Sequence, residues 1–289
     1  MDNFEQRIAQ VRNDREHGSR WLVHETISIL RDIAIQPGVS AEERLRQVRQ
    51  AGSELARARP AMAALAGAVG RILSASNDVE GMAQEAERLL KAYDSAIEHI
   101  TSYARPLLNG TLMTDSISGT VLDVLVACLS QIERIVVLEG RPRYEGRDMA
   151  KALSEHGAVV TLITDAQADI FLPQCQAVVV GADSVLANGD VLNKAGTALL
   201  AWAAQGHRVP FYVLCETLKI SPHSWSGDLS HLEEKEPSEV LDQPIPGVTV
   251  RNFYFDRTPA SLVTMVITEQ GMLSKEKIGE IAASLLGVV

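Results

Sequence analysis

The sequence predicts an α/β protein in two parts: an all-helical N-terminal domain over residues 1–110, then a doubly wound parallel-sheet domain over residues 111–289. Three observations predict it. Apolar residues recur at helical spacing as far as about residue 107. From about residue 111, short β-branched runs alternate with helical segments. Four of those runs end in polar, turn-forming signatures.

The elements follow in order. Arg20 to Ile35 places Leu22, Val23, Ile27, Leu30 and Ile33 on one helical face, and Pro37-Gly38 ends it. Ser40-Ala-Glu-Glu43 reads as a capping box opening the next helix. Pro60 is expected in the first turn of a third, running through Met62, Leu65, Val69 and Leu73. Val79 to Tyr103 reads as a long amphipathic helix, and Pro106 with Asn109-Gly110 marks the boundary. Beyond it, the strands are expected at Arg134–Leu138, Ala158–Ile163, Ala177–Val180 and Pro210–Leu214. Helical segments are expected at Val121–Leu129, Asp148–His156 and Val191–Gln205. The polar, acidic stretch from Ser221 to Pro244 reads as a long surface loop.

Composition removes several classes of function. Apolar residues make up 46% of the 289 and charged residues 22%, as in soluble globular proteins. No run approaches the roughly 18 apolar residues of a membrane span. Aromatics are only 4% and the formal net charge is -10, so direct nucleic-acid binding is not expected. The polar N-terminus predicts no signal peptide. Cys128, Cys175 and Cys215 are far apart, which fits a reducing cytoplasm and gives no metal signature. Neither metal nor cofactor is expected.

The chemistry concentrates after the proposed strands. Ala177-Val-Val-Val180 delivers Gly181-Ala-Asp183 to a strand end, and Asn188-Gly189 then leads to Asn193-Lys194 at what reads as the start of a helix. In open α/β sheets ligands bind outside the carboxyl ends of the strands. Glu139-Gly-Arg141-Pro, Thr164-Asp-Ala and Cys215-Glu-Thr-Leu-Lys219 close the other three strands, and Thr114-Asp-Ser116-Ile-Ser-Gly opens a helix, where N–H donors favour an anion. Each residue also has a plainer role. Ser116 or Ser118 can be an N-cap, Asp183 can cap or pair, and Arg141 can lie on the surface.

These motifs together resemble the family shared by the α, β and δ subunits of translation initiation factor 2B, methylthioribose-1-phosphate isomerase and ribose-1,5-bisphosphate isomerase. Gly18-Ser-Arg20-Trp, Asn193-Lys-Ala-Gly-Thr197, Asn252-Phe-Tyr-Phe-Asp-Arg-Thr-Pro259 and Ile267-Thr-Glu-Gln-Gly271 extend the resemblance over nearly the whole chain. It implies a helical domain on a Rossmann-like domain, and a homodimer or larger homo-oligomer. The enzyme members convert an aldose 1-phosphate to the ketose, using the cysteine of a Thr-His-Cys motif and an aspartate at the position of Asp183. Here Thr114-Asp115-Ser116 puts serine at the cysteine's place, and a hydroxyl is a far poorer proton donor than a thiol of pKa about 8.5.

The expectation is therefore an initiation factor 2B-related protein that keeps a sugar-phosphate or nucleotide-phosphate pocket without the usual cysteine chemistry. Arg20, Thr114, Arg141, Asn193, Lys194 and Lys219 are its expected binding residues, with Asp183 and Ser116 at the catalytic positions. The alternative is an aldose–ketose sugar-phosphate isomerase, an intramolecular oxidoreductase of the ribose-1,5-bisphosphate or methylthioribose-1-phosphate type. It would pair Asp183 with another acid: Asp115, or a thiol from Cys128 or Cys215. A subunit of purely structural assembly, with an empty pocket, is the third reading.

Overall fold

The computed structural model describes residues 2–14, 17–224, 227 and 232–285. Part of the expected 221–244 loop, residues 225–226 and 228–231, lies outside the described residues.

Five helices come first: α1 (Asp2–Asn13), α2 (Ser19–Ala34), α3 (Ala41–Ala56), α4 (Ala63–Ala75) and α5 (Val79–Ala104). Local chemistry sets several of their ends. The Ser40 hydroxyl accepts the Glu43 N–H at the start of α3, and the Asp78 carboxylate accepts the Gly81 N–H at 2.7 Å at the start of α5. Pro60 lies ahead of α4 rather than in its first turn, because the chain turns through Ala61 and Met62 before the helix begins. The cap of α4 comes from a distant residue. Ser184 Oγ accepts the Ala63 N–H at 2.9 Å and donates to the Ala61 carbonyl at 2.6 Å.

The rest alternates: β1 (Gly110–Asp115), α6 (Gly119–Ala127), β2 (Ile132–Leu138), α7 (Glu145–Glu155), β3 (Val160–Ile163), α8 (Ala168–Phe171), β4 (Ala177–Val180). Then come β5 (Ser184–Val185), β6 (Val191–Lys194), α9 (Thr197–His207) and β7 (Phe211–Leu214). The chain closes with β8 (Phe255–Thr258), β9 (Met265–Thr268), β10 (Gly271–Leu273) and α10 (Lys275–Ser284). Seven strands form one sheet in the order β3-β2-β1-β4-β7-β9-β10, parallel except for the edge strand β10. A small antiparallel sheet, β5-β6-β8, lies beside it.

Two expectations need correcting. Thr114 and Asp115 end a central strand, β1, instead of opening a helix; the helix starts at Gly119, with the Ser118 hydroxyl accepting the Val121 N–H. Asn193 and Lys194 lie on a strand, not in a first helical turn. Their pairing partners, Asp256 and Phe255, are some sixty residues away in sequence, so no local pattern announces them.

Both faces of the large sheet are covered. Ile100 and Ala104, at the end of α5, join Val121, Leu125, Met149 and Leu153 over one face; Leu200, Ala204, Ile278 and Ala282 cover the other. The helical core of α1 to α5 also takes in Leu218 and Phe255 from loop and strand at the sheet's carboxyl edge.

Gly146, in the first turn of α7, crosses the end of β2 so closely that a Cβ there would lie 1.8 Å from the Leu138 carbonyl oxygen. Gly146→Ala is expected to destabilise the fold by more than about 4 kcal/mol, the range of exceptional single substitutions. A melting temperature within a degree or two of the parent's would contradict this packing.

Candidate active site

β1 and β4 are neighbours in the sheet, but the chain leaves β1 toward β2 and leaves β4 toward the opposite edge. The crevice at such a switch point is where doubly wound sheets bind ligands. A cavity of about 1150 Å³ opens there, between the carboxyl edge of the sheet and the ends of the helices, large enough for a small ligand. The chain carries a net charge of -10, yet seven Lys and Arg side chains and only five carboxylates line this cavity. Such a local surplus of positive charge on an acidic protein attracts an anion.

Two carboxylates sit at the two diverging strand ends. Asp115, the last residue of β1, is 7% exposed. Its Oδ2 lies 2.7 Å from the Thr197 hydroxyl, and its Oδ1 is buried with no hydrogen-bond partner among the described residues. Burial raises the carboxyl to about 7, the Thr197 hydrogen bond draws it back, and the charges of Asp256 and Asp165 push it up. Asp183 follows β4, its backbone N–H bonded to the Leu192 carbonyl at 2.9 Å. Burial raises its carboxyl as well, against the opposing pull of Lys219, Arg59 and Lys194.

The cations arrive from both parts of the chain. Lys194, on β6, pairs with Glu145 Oε1 at 2.6 Å and stands 4.4 Å from the centre of the Tyr254 ring. Lys219 is 2% exposed; its Nζ donates to Ser19 Oγ at 3.0 Å and lies 3.9 Å from Glu216. Arg20, in the first turn of α2, donates to the Tyr93 carbonyl and reaches Asp123 and Glu216 at 3.8 Å. Arg59 meets Glu233 through two contacts of 3.3 and 3.4 Å.

Of the eight site residues expected from sequence, Arg20, Ser116, Asp183, Asn193, Lys194 and Lys219 line this one cavity. Thr114 and Arg141 do not. Thr114 lies one residue inside β1 and is 1% exposed. The Arg141 guanidinium donates to Tyr144 Oη at 2.8 Å and the Val240 carbonyl at 3.2 Å, and Arg143 lines the cavity instead. Asp165, after β3, accepts the backbone N–H groups of Gly140 and Arg141 at 2.8 Å, so that strand end braces the loop after β2. Neither Cys128 nor Cys215 lines the cavity. Both are fully buried, and burial pushes both thiols up.

Sequence reasoning missed Arg59, Arg143 and Lys235. A cation before a helix-breaking proline, Arg59-Pro60, was the one signal for the first. Glu233 falls in the stretch expected as a surface loop, yet it is 8% exposed and pairs with Arg59 and with Lys235, the latter at 2.8 Å.

The sequence model of the initiation factor 2 subunit family matches residues 15–275. The chain belongs to this family. Among its relatives is the ribose 1,5-bisphosphate isomerase of Methanocaldococcus jannaschii, 32% identical over 283 residues, which cover 94% of this chain and 92% of that protein. Among solved members, the translation initiation factor eIF-2B of Pyrococcus horikoshii superposes with a TM-score of 0.83 at 28% identity, over 94% of this chain and 97% of that one. The 5-methylthioribose 1-phosphate isomerase of Pyrococcus horikoshii gives 0.76 at 25% identity, over 99% and 88%. The family thus joins isomerases and translation factors on one fold. Among the described residues of this member, no helix is long and apolar enough to cross a membrane.

The raised Asp115 carboxyl links stability to pH. Between the ordinary carboxyl range and about 7 the folded state holds a proton that the unfolded state has released, so stability falls as pH rises through that window. Asp115→Asn removes the buried charge. It should melt above wild type at pH 8, by about 4 kcal/mol at most in stability, with the gain fading toward pH 4. A variant no more stable than wild type at pH 8 would show that the site accommodates the ionised acid.

Proposed function

We propose that this protein is a sugar-phosphate isomerase that converts an aldose 1-phosphate of the ribose 1,5-bisphosphate type to its ketose. The observation that carries the reading is the pair of buried carboxyls, Asp115 and Asp183, at the two diverging strand ends of a cavity lined with cations. The isomerase names of relatives matching nearly the full chain support it over the regulatory reading. That reading, an initiation factor 2B-related binder without turnover, rests on Ser116 standing where the resemblance puts a cysteine.

The chemistry matches what the site offers. A phosphate at C1 locks the sugar ring. Isomerisation needs one acid to protonate the ring oxygen as the ring opens and one base to take the C2 hydroxyl proton, while hydrogen passes from C2 to C1. Asp183 is the base. The phosphate groups lie against Lys194, Lys219, Arg20 and Arg59, where charge-assisted hydrogen bonds are strong. Asn193 donates its amide to Thr197 at 3.0 Å, leaving its carbonyl for a sugar hydroxyl. Leu199 and Trp202 on α9, 76% and 55% exposed, with Ile170 on α8 nearby, form an apolar face suited to a second copy of the chain.

A thermal-shift screen against ribose 1-phosphate, ribose 1,5-bisphosphate, methylthioribose 1-phosphate, AMP and GDP should raise the melting temperature for one of the sugar phosphates. Ketose formation is then assayed directly. Asp183→Asn should lose turnover by on the order of 10²-fold or more while still binding. Lys194→Met should weaken binding by about 1.5–3 kcal/mol, roughly ten- to a hundredfold. Binding without ketose formation would favour the regulatory reading, and no binding at millimolar ligand would sink both. For the second copy, sedimentation should give a dimer that Trp202→Glu splits; a monomeric parent would rule it out.

A further inference from the structure

We propose that Asp115 is the proton donor of this site, a neutral carboxylic acid doing the work for which the Ser116 hydroxyl is too weak, and that Thr197 keeps it in register. This rests on the isomerase reading and deepens it.

The Thr197 hydroxyl has one proton, yet lies 2.7 Å from two acceptors, Asp115 Oδ2 and the Lys194 carbonyl, while its oxygen receives the Asn193 amide at 3.0 Å. A hydroxyl donates once and accepts twice. All three contacts are satisfied together only when Asp115 carries a proton on Oδ2 and donates it to Thr197, which then donates to Lys194 O. An ionised Asp115 would take the Thr197 proton and leave the Lys194 carbonyl without that donor. The surroundings agree: the charged groups bearing on Asp115 are Asp256 from β8 and Asp165 from beyond β3, both acids that disfavour a second negative charge.

The other oxygen is the working end. Oδ1 is buried without a partner among the described residues, on a side chain that lines the cavity at the switch point opposite Asp183. A buried polar atom left unpaired costs free energy, so a ligand group that bonds to it is favoured. When a sugar ring oxygen reaches Oδ1, the acid proton moves to that side and Thr197 turns its own proton to Oδ2.

The step then balances. Asp115 gives its proton to the ring oxygen as the C1–O bond breaks, and that oxygen keeps the electron pair. The hydrogen at C2 moves with its electron pair to C1, so C2 is oxidised and C1 reduced within one molecule. Asp183 takes the C2 hydroxyl proton as the carbonyl forms. Return of that proton to Asp115 through solvent restores the site with no external oxidant or reductant. The Thr197 hydrogen bond on Oδ2 stabilises the carboxylate left behind. Thr197 is thus a positioning residue that holds both protonation states.

The test uses the full-length protein and ribose 1,5-bisphosphate. Asp115→Asn keeps the shape of the side chain and removes its titration. It should lower kcat by on the order of 10²-fold or more, with KM within about threefold and the melting temperature at least that of wild type at pH 8. Wild-type kcat/KM should fall on the alkaline side with a midpoint near 7. Thr197→Val should lower kcat at least about tenfold and move that alkaline limb upward, while Thr197→Ser, which keeps the hydroxyl, restores both. An active wild type whose Asp115→Asn variant keeps its rate, or whose profile has no alkaline limb, overturns the assignment and leaves the isomerase reading standing. A wild type that forms no ketose sinks the two together.

Discussion

The structure depends on keeping charge buried at the point where β1 and β4 part. A parallel sheet offers its carboxyl edge to a ligand only where neighbouring strands lead away from each other, and this chain places an acid at each of those two ends. Buried carboxyls are costly unless charge or hydrogen bonds answer them. For Asp183 the answer is the pull of Lys219, Arg59 and Lys194, which themselves stand beside acids of the protein, Lys194 by Glu145, Arg59 by Glu233 and Lys219 near Glu216; for Asp115 it is the Thr197 hydroxyl. Without a ligand these pairs hold the long side chains in place. An arriving phosphate meets cations already in place, so little side-chain entropy is lost on binding.

The helices belong to this site as much as the sheet does. Arg20 comes from the first turn of α2 and Arg59 from the connection between α3 and α4, and their placement depends on how the helical part sits against the sheet edge. Ser184, next to Asp183, supplies the cap that α4 lacks, bonding both the Ala63 N–H and the Ala61 carbonyl. Leu218, next to Lys219, packs in the helical core, and a Cβ on Gly67 of α4 would lie 3.0 Å from the Leu218 carbonyl oxygen. One acid and one cation of the site are thus each one residue from a contact that ties sheet to helices. A substitution in α4 that pushed these surfaces apart would move Asp183 and Lys219 together.

What could be read in the sequence follows from which interactions are local. The runs Ile-Val-Val-Leu before Glu139 and Val-Val-Val before Gly181 are β-branched and buried on both faces, so composition alone marks them as strands. Ser40 shows as a cap because the group it serves is three residues away. β1 was hidden because Gly-Thr-Leu-Met-Thr-Asp has no such run; its strand character comes from β2 and β4 on either side. β6 was hidden for the same reason, since Val191–Lys194 is a strand through its pairing with Ser184–Val185 on one side and Phe255–Thr258 on the other. At the site, residues in polar strand-end motifs were legible, while Arg59 and Glu233 were not. They are 174 residues apart and acquire meaning only as a pair.

The reading of Thr114-Asp-Ser116 as a helix start fails for a physical reason with a chemical consequence. Read as a helix start, the segment would have offered N–H groups and hydroxyls to an anion, and Ser116 would have been its reactive member. Because β1 runs on to Asp115, the strand instead drives a carboxyl into the crevice, and the chain turns away at Ser116 with φ of 53° before the Ser118 cap. A thiol at the serine's place would bring its own acidity. A serine brings almost none, and the burden passes to the neighbour whose acidity the fold can tune. Burial has raised that neighbour to about 7, close to where an acid–base group works best near neutral pH. A serine rather than a cysteine in this segment therefore does not by itself remove acid chemistry from the site, because the strand that carries the segment also carries a buried acid at the same switch point.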